Sequence, residues 1–252
     1  MPTSPPIAVV GMSSLFAGSQ DLIGFWRDIV SATDRLTDVP PHGWLIDDYY
    51  DPDPTAPDMT YAKRGGFLSP VPFNPMEFGI PPTSVPATDT AQLIALIAAK
   101  RVLEDAGRFS EGADHSRTSV VLGVASATEL IVEMGARLQH PIWRNALRQE
   151  GLPESRVQDI VQRIKDHYQP WQESTFPGLL GNVVAGRIAN RLDLGGSNFV
   201  TDAACASSIS ALQSGLNELY LGDSDMVIAG GVDALNDILM YMCFSKTPAF
   251  SP

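Results

Sequence analysis

A chain of 252 residues, 44% of them hydrophobic, holds enough apolar side chains for a sizeable core, in one large domain or two modest ones. Seventeen basic residues against 29 acidic ones give a net charge of −12, and no Lys/Arg stripe is available to neutralise phosphates, so nucleic acid is not an expected partner. The start Met1-Pro-Thr-Ser-Pro-Pro has neither a basic nor an apolar leader region, and no stretch approaches the roughly 20 apolar residues of a membrane span; we expect no membrane span and a cytoplasmic location.

In chain order, the apolar run at 7–10 predicts a strand ending at Gly11. A helix follows, with Leu22, Phe25, Trp26 and Ile29 on one face. Residues 34–88 are rich in Pro, Asp and Gly and predict a long ordered loop region. Asp89 is placed to cap a helix that runs to about residue 106 and stops at Gly107. The continuous apolar run at 118–124 reads as a parallel strand buried on both faces. Residues 128–172 are more polar and read as an excursion from the core, with a helix carrying Val157, Ile160, Val161 and Ile164 and charges on a solvated face. The last third predicts a helix over 178–191, a strand over 198–203, a helix over 205–221 and a strand over 225–230. That alternation implies an α/β protein with a mainly parallel sheet.

Two cysteines, Cys205 and Cys243, are too few for a disulfide framework, and no Cys/His spacing suits zinc; we expect no metal and no organic cofactor. In Phe199-Val-Thr-Asp-Ala-Ala-Cys205-Ala-Ser-Ser-Ile, an apolar strand passes through small residues into a helix whose apolar positions are Ile209, Leu212, Leu216 and Leu219. Cys205 then stands at a helix N-terminus, where unpaired N–H groups favour a thiolate and can hold an oxyanion. Small neighbours leave room for a substrate, although a free cysteine also serves commonly as an inert small hydrophobe. Cys243, among Tyr241, Met242 and Phe244, has no basic neighbour or helix start and reads as a structural thiol. Asp202 fixes the turn before Cys205. Gly195-Gly196 and Gly230-Gly231 match neither a dinucleotide fingerprint nor a P-loop and read as turns in a packed core.

Asp202-Ala-Ala-Cys-Ala-Ser-Ser208 resembles the active-site cysteine motif of β-ketoacyl synthases. Ile7-Ala-Val-Val-Gly-Met12, Tyr49-Tyr-Asp-Pro-Asp53, Arg64-Gly-Gly-Phe-Leu68, Glu104-Asp-Ala-Gly107, Gly186-Arg-Ile-Ala189, Ala229-Gly-Gly-Val232 and Phe244-Ser-Lys246 follow that family's order along nearly the whole chain. The stretches 176–190 and 242–249 look most like iterative multidomain synthases that make polyunsaturated fatty acids, enediyne polyketides or glycolipid-type products.

The resemblance implies a thiolase-like layered αβαβα fold, of which residues 1–252 form the N-terminal half only. It implies that Cys205 takes an acyl group from an acyl carrier protein bearing phosphopantetheine-linked substrates. Malonyl on a second carrier is then decarboxylated, and the carbanion attacks the thioester to give a β-ketoacyl product. It also implies a homodimer and places Phe244 beside the acyl pocket as a substrate-binding residue, where a packed core aromatic is the alternative. The two histidines and the lysine that assist decarboxylation belong to downstream contexts not found here. His42, His115, His140 and His167 all precede Cys205 and read as surface or loop residues. Residues 1–252 therefore need the C-terminal half of the synthase domain, and the rival reading is a non-catalytic half-domain that serves as a structural or dimerisation partner. A sheet with one uncovered face predicts exposed apolar surface and self-association.

Overall fold

Thr118–Gly123 is buried at all six positions, as a strand flanked on both sides and covered on both faces must be. In the computed structural model it is β3, the centre of a three-stranded parallel sheet of order β4-β3-β5, with β4 at Asn198–Thr201 and β5 at Met226–Gly231. Val120 pairs with Asn198 on one side and with Ile228 on the other. The structure describes residues 5–110, 112–125 and 128–251, with the backbone only of Thr128; the leader reading of residues 1–4 lies outside them.

The remaining elements are α1 (Leu22–Val30), β1 (Thr37–Asp38), α2 (Ile46–Tyr49), β2 (Arg64–Gly65), α3 (Thr90–Asp105), α4 (Thr128–Leu138), α5 (His140–Gln149), α6 (Glu154–Lys165), α7 (Thr175–Leu179), α8 (Val183–Arg191), α9 (Ser207–Leu221) and α10 (Ile238–Lys246). Short 3₁₀ turns lie at Pro75–Phe78, Pro82–Ala87 and Ala204–Ala206. The chain divides into two compact units. One comprises Met1–Pro5, Phe73–Leu96 and Asp114–Asp233, the other Pro6–Pro72, Ile97–Ala113 and Ala234–Pro252.

The first unit holds the parallel sheet, with α8 packed on β3 and β4 and α9 packed on β3 and β5. Asp89 caps α3 as expected, its Oδ1 accepting from the Ala91 N–H at 2.9 Å. The carboxyl is buried, and burial pushes it above its ordinary value; the Ala91, Leu130 and Glu129 backbone N–H groups oppose that shift, while the Glu129 charge adds to it. The excursion after β3 forms three helices. On α6, Val157 and Val161 are buried, while the exposed ion pair Arg148–Glu154 lies on the wet side.

The helix expected over 178–191 is two helices. Gln92, fully buried, lies with its Nε2 within 3.0 Å of the carbonyls of Pro177 and Gly178 and 3.2 Å of that of Leu180. Those carbonyls are thereby taken out of a helical ladder, and Leu180 is extended. Glycine is required at 178, because any Cβ there would collide with the Ala87 carbonyl.

The buried faces of two helices do not follow apolar periodicity alone. On α9 the buried side is the small stripe Ser207, Ala211 and Gly215, while Ile209 and Leu212 are exposed. Close approach to the strand explains the choice, since a Cβ on Gly215 would lie 2.9 Å from Val227 Cγ1. In the second unit, α1 buries Gly24 and Asp28, leaves Leu22 and Phe25 half-buried and exposes Trp26 and Ile29, so only half of its predicted apolar face packs inward. Asp28 is held there by Arg35, at 2.5 and 2.9 Å, and by the Ser19 hydroxyl.

The strand expected at 7–10 does not form among the described residues. Val9 and Val10 find no neighbouring strand and are exposed. The long loop region has few regular elements, as predicted: β1 and β2 pair antiparallel, and Val39, Trp44 and Tyr241 make a small core. The helix α3 ends as the sequence suggests, with Gly107 at a φ of 63° and the Arg108 N–H donating to the Leu103 carbonyl.

Candidate functional site

At the C-terminal end of β4 the chain must turn from strand into α9 within a few residues. Asp202 begins the turn, its Oδ1 accepting from the Ala204 N–H at 2.9 Å. Ala204 adopts a φ of 49°, left-handed for a residue with a Cβ, a conformation that costs roughly 1 kcal/mol or more. Ser207, buried at the first position of α9, closes it: its Oγ accepts from the Ala203 N–H at 2.9 Å and donates to the Ala204 carbonyl at 2.7 Å.

Cys205 sits at the middle of the 3₁₀ turn Ala204–Ala206, just before α9 rather than as its first residue. It is a free, exposed thiol flanked by exposed Ala203, Ala204 and Ala206, so reagents can approach it from solvent. Its backbone N–H has no acceptor among the described residues. Asp202 therefore does what the sequence suggested, and Ser207 is an addition that only its spacing after the cysteine could have signalled.

Two glycines let the sheet reach this turn. A Cβ at Gly123, the last residue of β3, would lie 2.5 Å from the Ser207 carbonyl carbon and 2.6 Å from the Ser208 nitrogen. Gly231 ends β5 against the Ser208 hydroxyl, which a Cβ at that position would force aside. The pair Gly230-Gly231 is thus strand rather than turn. Gly195 and Gly196 do pack tightly, against Ser116 and Thr118.

Phe244 lies on α10 in the other unit, about two-fifths exposed, with its ring 5.7 Å from that of Phe250. The face of α10 opposite to solvent is pinned by a buried Thr60–Ser245 hydroxyl pair at 2.6 Å and by Tyr241 OH donating to the Arg64 carbonyl at 3.1 Å. Cys243 on the same helix is exposed, not packed as a structural thiol would be. His42 and His167 are exposed, while His115 and His140 are half-buried, His115 in a loop and His140 at the start of α5. None of them groups with other metal-binding side chains among the described residues, and no described helix is long and apolar enough to cross a membrane.

A parallel sheet with a cysteine on a strained elbow between strand and helix defines an α/β protein of the thiolase-like class. Solved ketosynthases share the architecture: an oxazolomycin ketosynthase domain of Streptomyces albus superposes with a TM-score of 0.73 at 28% identity, covering 95% of this chain and 36% of that one. The ketosynthase–chain length factor PfaC gives a TM-score of 0.79 at 26% identity over 96% of this chain and 26% of its own.

Residues 4–252 match the family described as "Beta-ketoacyl synthase, N-terminal domain", and the chain belongs to that family of condensing enzymes. It is 38% identical over 245 residues to a polyunsaturated fatty acid synthase polypeptide of Thraustochytrium sp., and 31% identical over 249 residues to a phenolphthiocerol/phthiocerol polyketide synthase polypeptide of Mycobacterium bovis. Those matches take in 97% and 98% of this chain but 9% and 12% of the relatives' lengths.

Proposed function

We propose that this chain carries the acyl-accepting half of a decarboxylative condensation, with Cys205 as nucleophile. The supporting observation is the elbow itself: an exposed thiol on a left-handed turn with its own N–H unengaged. The Cys205 sulfur attacks the thioester carbonyl of an acyl group carried on phosphopantetheine, forming a C–S bond and a tetrahedral oxyanion. That oxyanion accepts from the Cys205 N–H. Collapse expels the carrier's thiolate, which takes up a proton, and leaves an acyl-enzyme. Covalent capture splits one hard step into two. Malonyl on a second carrier protein then loses carbon dioxide, and its carbanion attacks the acyl-enzyme to release Cys205 and a β-ketoacyl thioester.

The decarboxylation step falls to histidines on the C-terminal half of the synthase domain, with which this chain acts, and the assembled domain is a homodimer. Phe244 borders the path of the acyl chain. Neither step calls for a metal or organic cofactor. The test is complementation: a second polypeptide carrying those histidines, mixed with this chain, an acyl donor and malonyl carrier protein, is expected to give β-ketoacyl product that Cys205→Ala abolishes. Failure of the mixture to make product, with both halves folded and associated, overturns the reading.

A further inference from the structure

Side chains on and just before α10 tie that helix to the segment 56–66, and they do so in reverse chain order. Lys246 Nζ donates to the Ala56 carbonyl at 2.6 Å, and the Ser245 and Thr60 hydroxyls pair at 2.6 Å. Tyr241 OH donates to the Arg64 carbonyl at 3.1 Å, and Asn236 Nδ2 to the Gly66 carbonyl at 2.6 Å. The segment thus runs antiparallel along the helix, with Thr60, Tyr241 and Ser245 buried between them. It is anchored in turn by the Thr60 N–H, which donates to the Tyr49 carbonyl at 2.8 Å.

The same segment reaches Phe244 by a second route. The Tyr61 hydroxyl accepts from the Phe250 N–H at 3.2 Å and donates to the Phe250 carbonyl at 3.3 Å. The Phe250 ring then stands 6.1 Å from that of Tyr61, 5.2 Å from that of Tyr241 and 5.7 Å from that of Phe244. Phe244 has solvent on one side and Phe250 on the other, so the freedom of its ring depends on a neighbour whose place Tyr61 fixes.

We propose that segment 56–66 is a cradle that sets the position of Phe244, and that Tyr61 and Lys246 are positioning residues for the choice of acyl chain. This rests on the reading that Cys205 takes the acyl group and Phe244 borders its path. A ring beside an acyl chain discriminates by length only while the groups behind it keep it from swinging aside. Loosening the cradle lets the ring yield and admits longer chains, with the chemistry at the thiol unchanged.

The experiment compares the rates at which a short and a long saturated acyl thioester acylate Cys205, followed by intact mass. The chains compared are the parent, Phe244→Ala, Tyr61→Phe, Lys246→Met and Lys246→Arg. Phe244→Ala is expected to raise the long-to-short ratio of rates. Tyr61→Phe keeps the ring and removes only its hydrogen bonds; it and Lys246→Met are each expected to raise the ratio about two- to tenfold, the worth of one such bond. Lys246→Arg, which can still donate to the Ala56 carbonyl, is expected to restore the parent ratio. A merely structural role would instead slow both donors alike and leave the ratio where it was. No acyl uptake by the parent, or the parent ratio in Phe244→Ala, would overturn the reading beneath the proposal and the proposal with it. A raised ratio in Phe244→Ala beside parent ratios in Tyr61→Phe and Lys246→Met would overturn the proposal alone.

Discussion

Gly123 and Ser207 touch where the central strand meets the helix that follows the cysteine: a Cβ at Gly123 would stand 2.5 Å from the Ser207 carbonyl carbon. The backbones, not side chains, set the height of the turn that presents Cys205. Gly123→Ala is therefore expected to push α9 off β3, destabilise the chain by about 1–3 kcal/mol and slow acylation of Cys205 far more than it slows labelling of Cys243. Urea melts and mass spectrometry of both thiols measure this. Unchanged stability and unchanged acylation would show that the contact does not set the turn.

Ser207→Ala removes the hydroxyl that bridges Ala203 and Ala204 and leaves the Ala203 N–H and the Ala204 carbonyl, both on exposed residues, to pair with water instead. A loss of about 0.5–1.5 kcal/mol is expected, and the strained φ at Ala204 should relax with it. Ser207→Thr, which keeps the hydroxyl, is expected to recover part of the acylation rate lost in the alanine variant. Equal rates in the two variants would deny the hydroxyl its role.

Hydrogen bonds from Arg35 first, and then from Ser19, hold the Asp28 carboxyl at about 2, below the unfolded value near 3.9. A depressed acid stabilises the fold above its unfolded value, and that stabilisation is lost as pH falls toward the folded one. Asp28→Asn should then be less stable than the parent at pH 7, with the gap closing between about pH 4 and pH 2. A gap that stays constant over that window would mean the charge on Asp28 is not what matters.

Ile209, Leu212, Tyr220 and Leu221 expose large apolar side chains on α9, and Val9, Val10, Trp26 and Ile29 do so in the other unit. Exposed apolar surface on this scale predicts self-association of the isolated chain. Light scattering over a concentration series should show species heavier than the 27.1 kDa chain. A monodisperse monomer would contradict this.

Much of this arrangement could be read from local pattern. The buried run at 118–123, the α/β alternation of the last third, Asp89 as a cap, Gly107 as a stop and Asp202 as the turn residue are all set by neighbours in sequence. What escaped depends on distant partners. Gln92, 86 residues before Gly178, is what breaks the helix expected over 178–191. The run at 7–10 has strand composition but no strand beside it, and the helix faces of α1 and α9 follow close backbone approach and a buried Asp28 rather than hydrophobic periodicity alone. Gly123 and Gly231 gave no sign of their role, because a glycine that admits a helix looks in sequence like a glycine in a turn.

The most direct test of Cys205 as acyl acceptor is intact-mass spectrometry of the chain after exposure to an acyl thioester donor, beside Cys205→Ala and Cys243→Ala. One acyl adduct, kept in Cys243→Ala and lost in Cys205→Ala, is the predicted result. No adduct, or an adduct that persists without Cys205, would contradict the assignment.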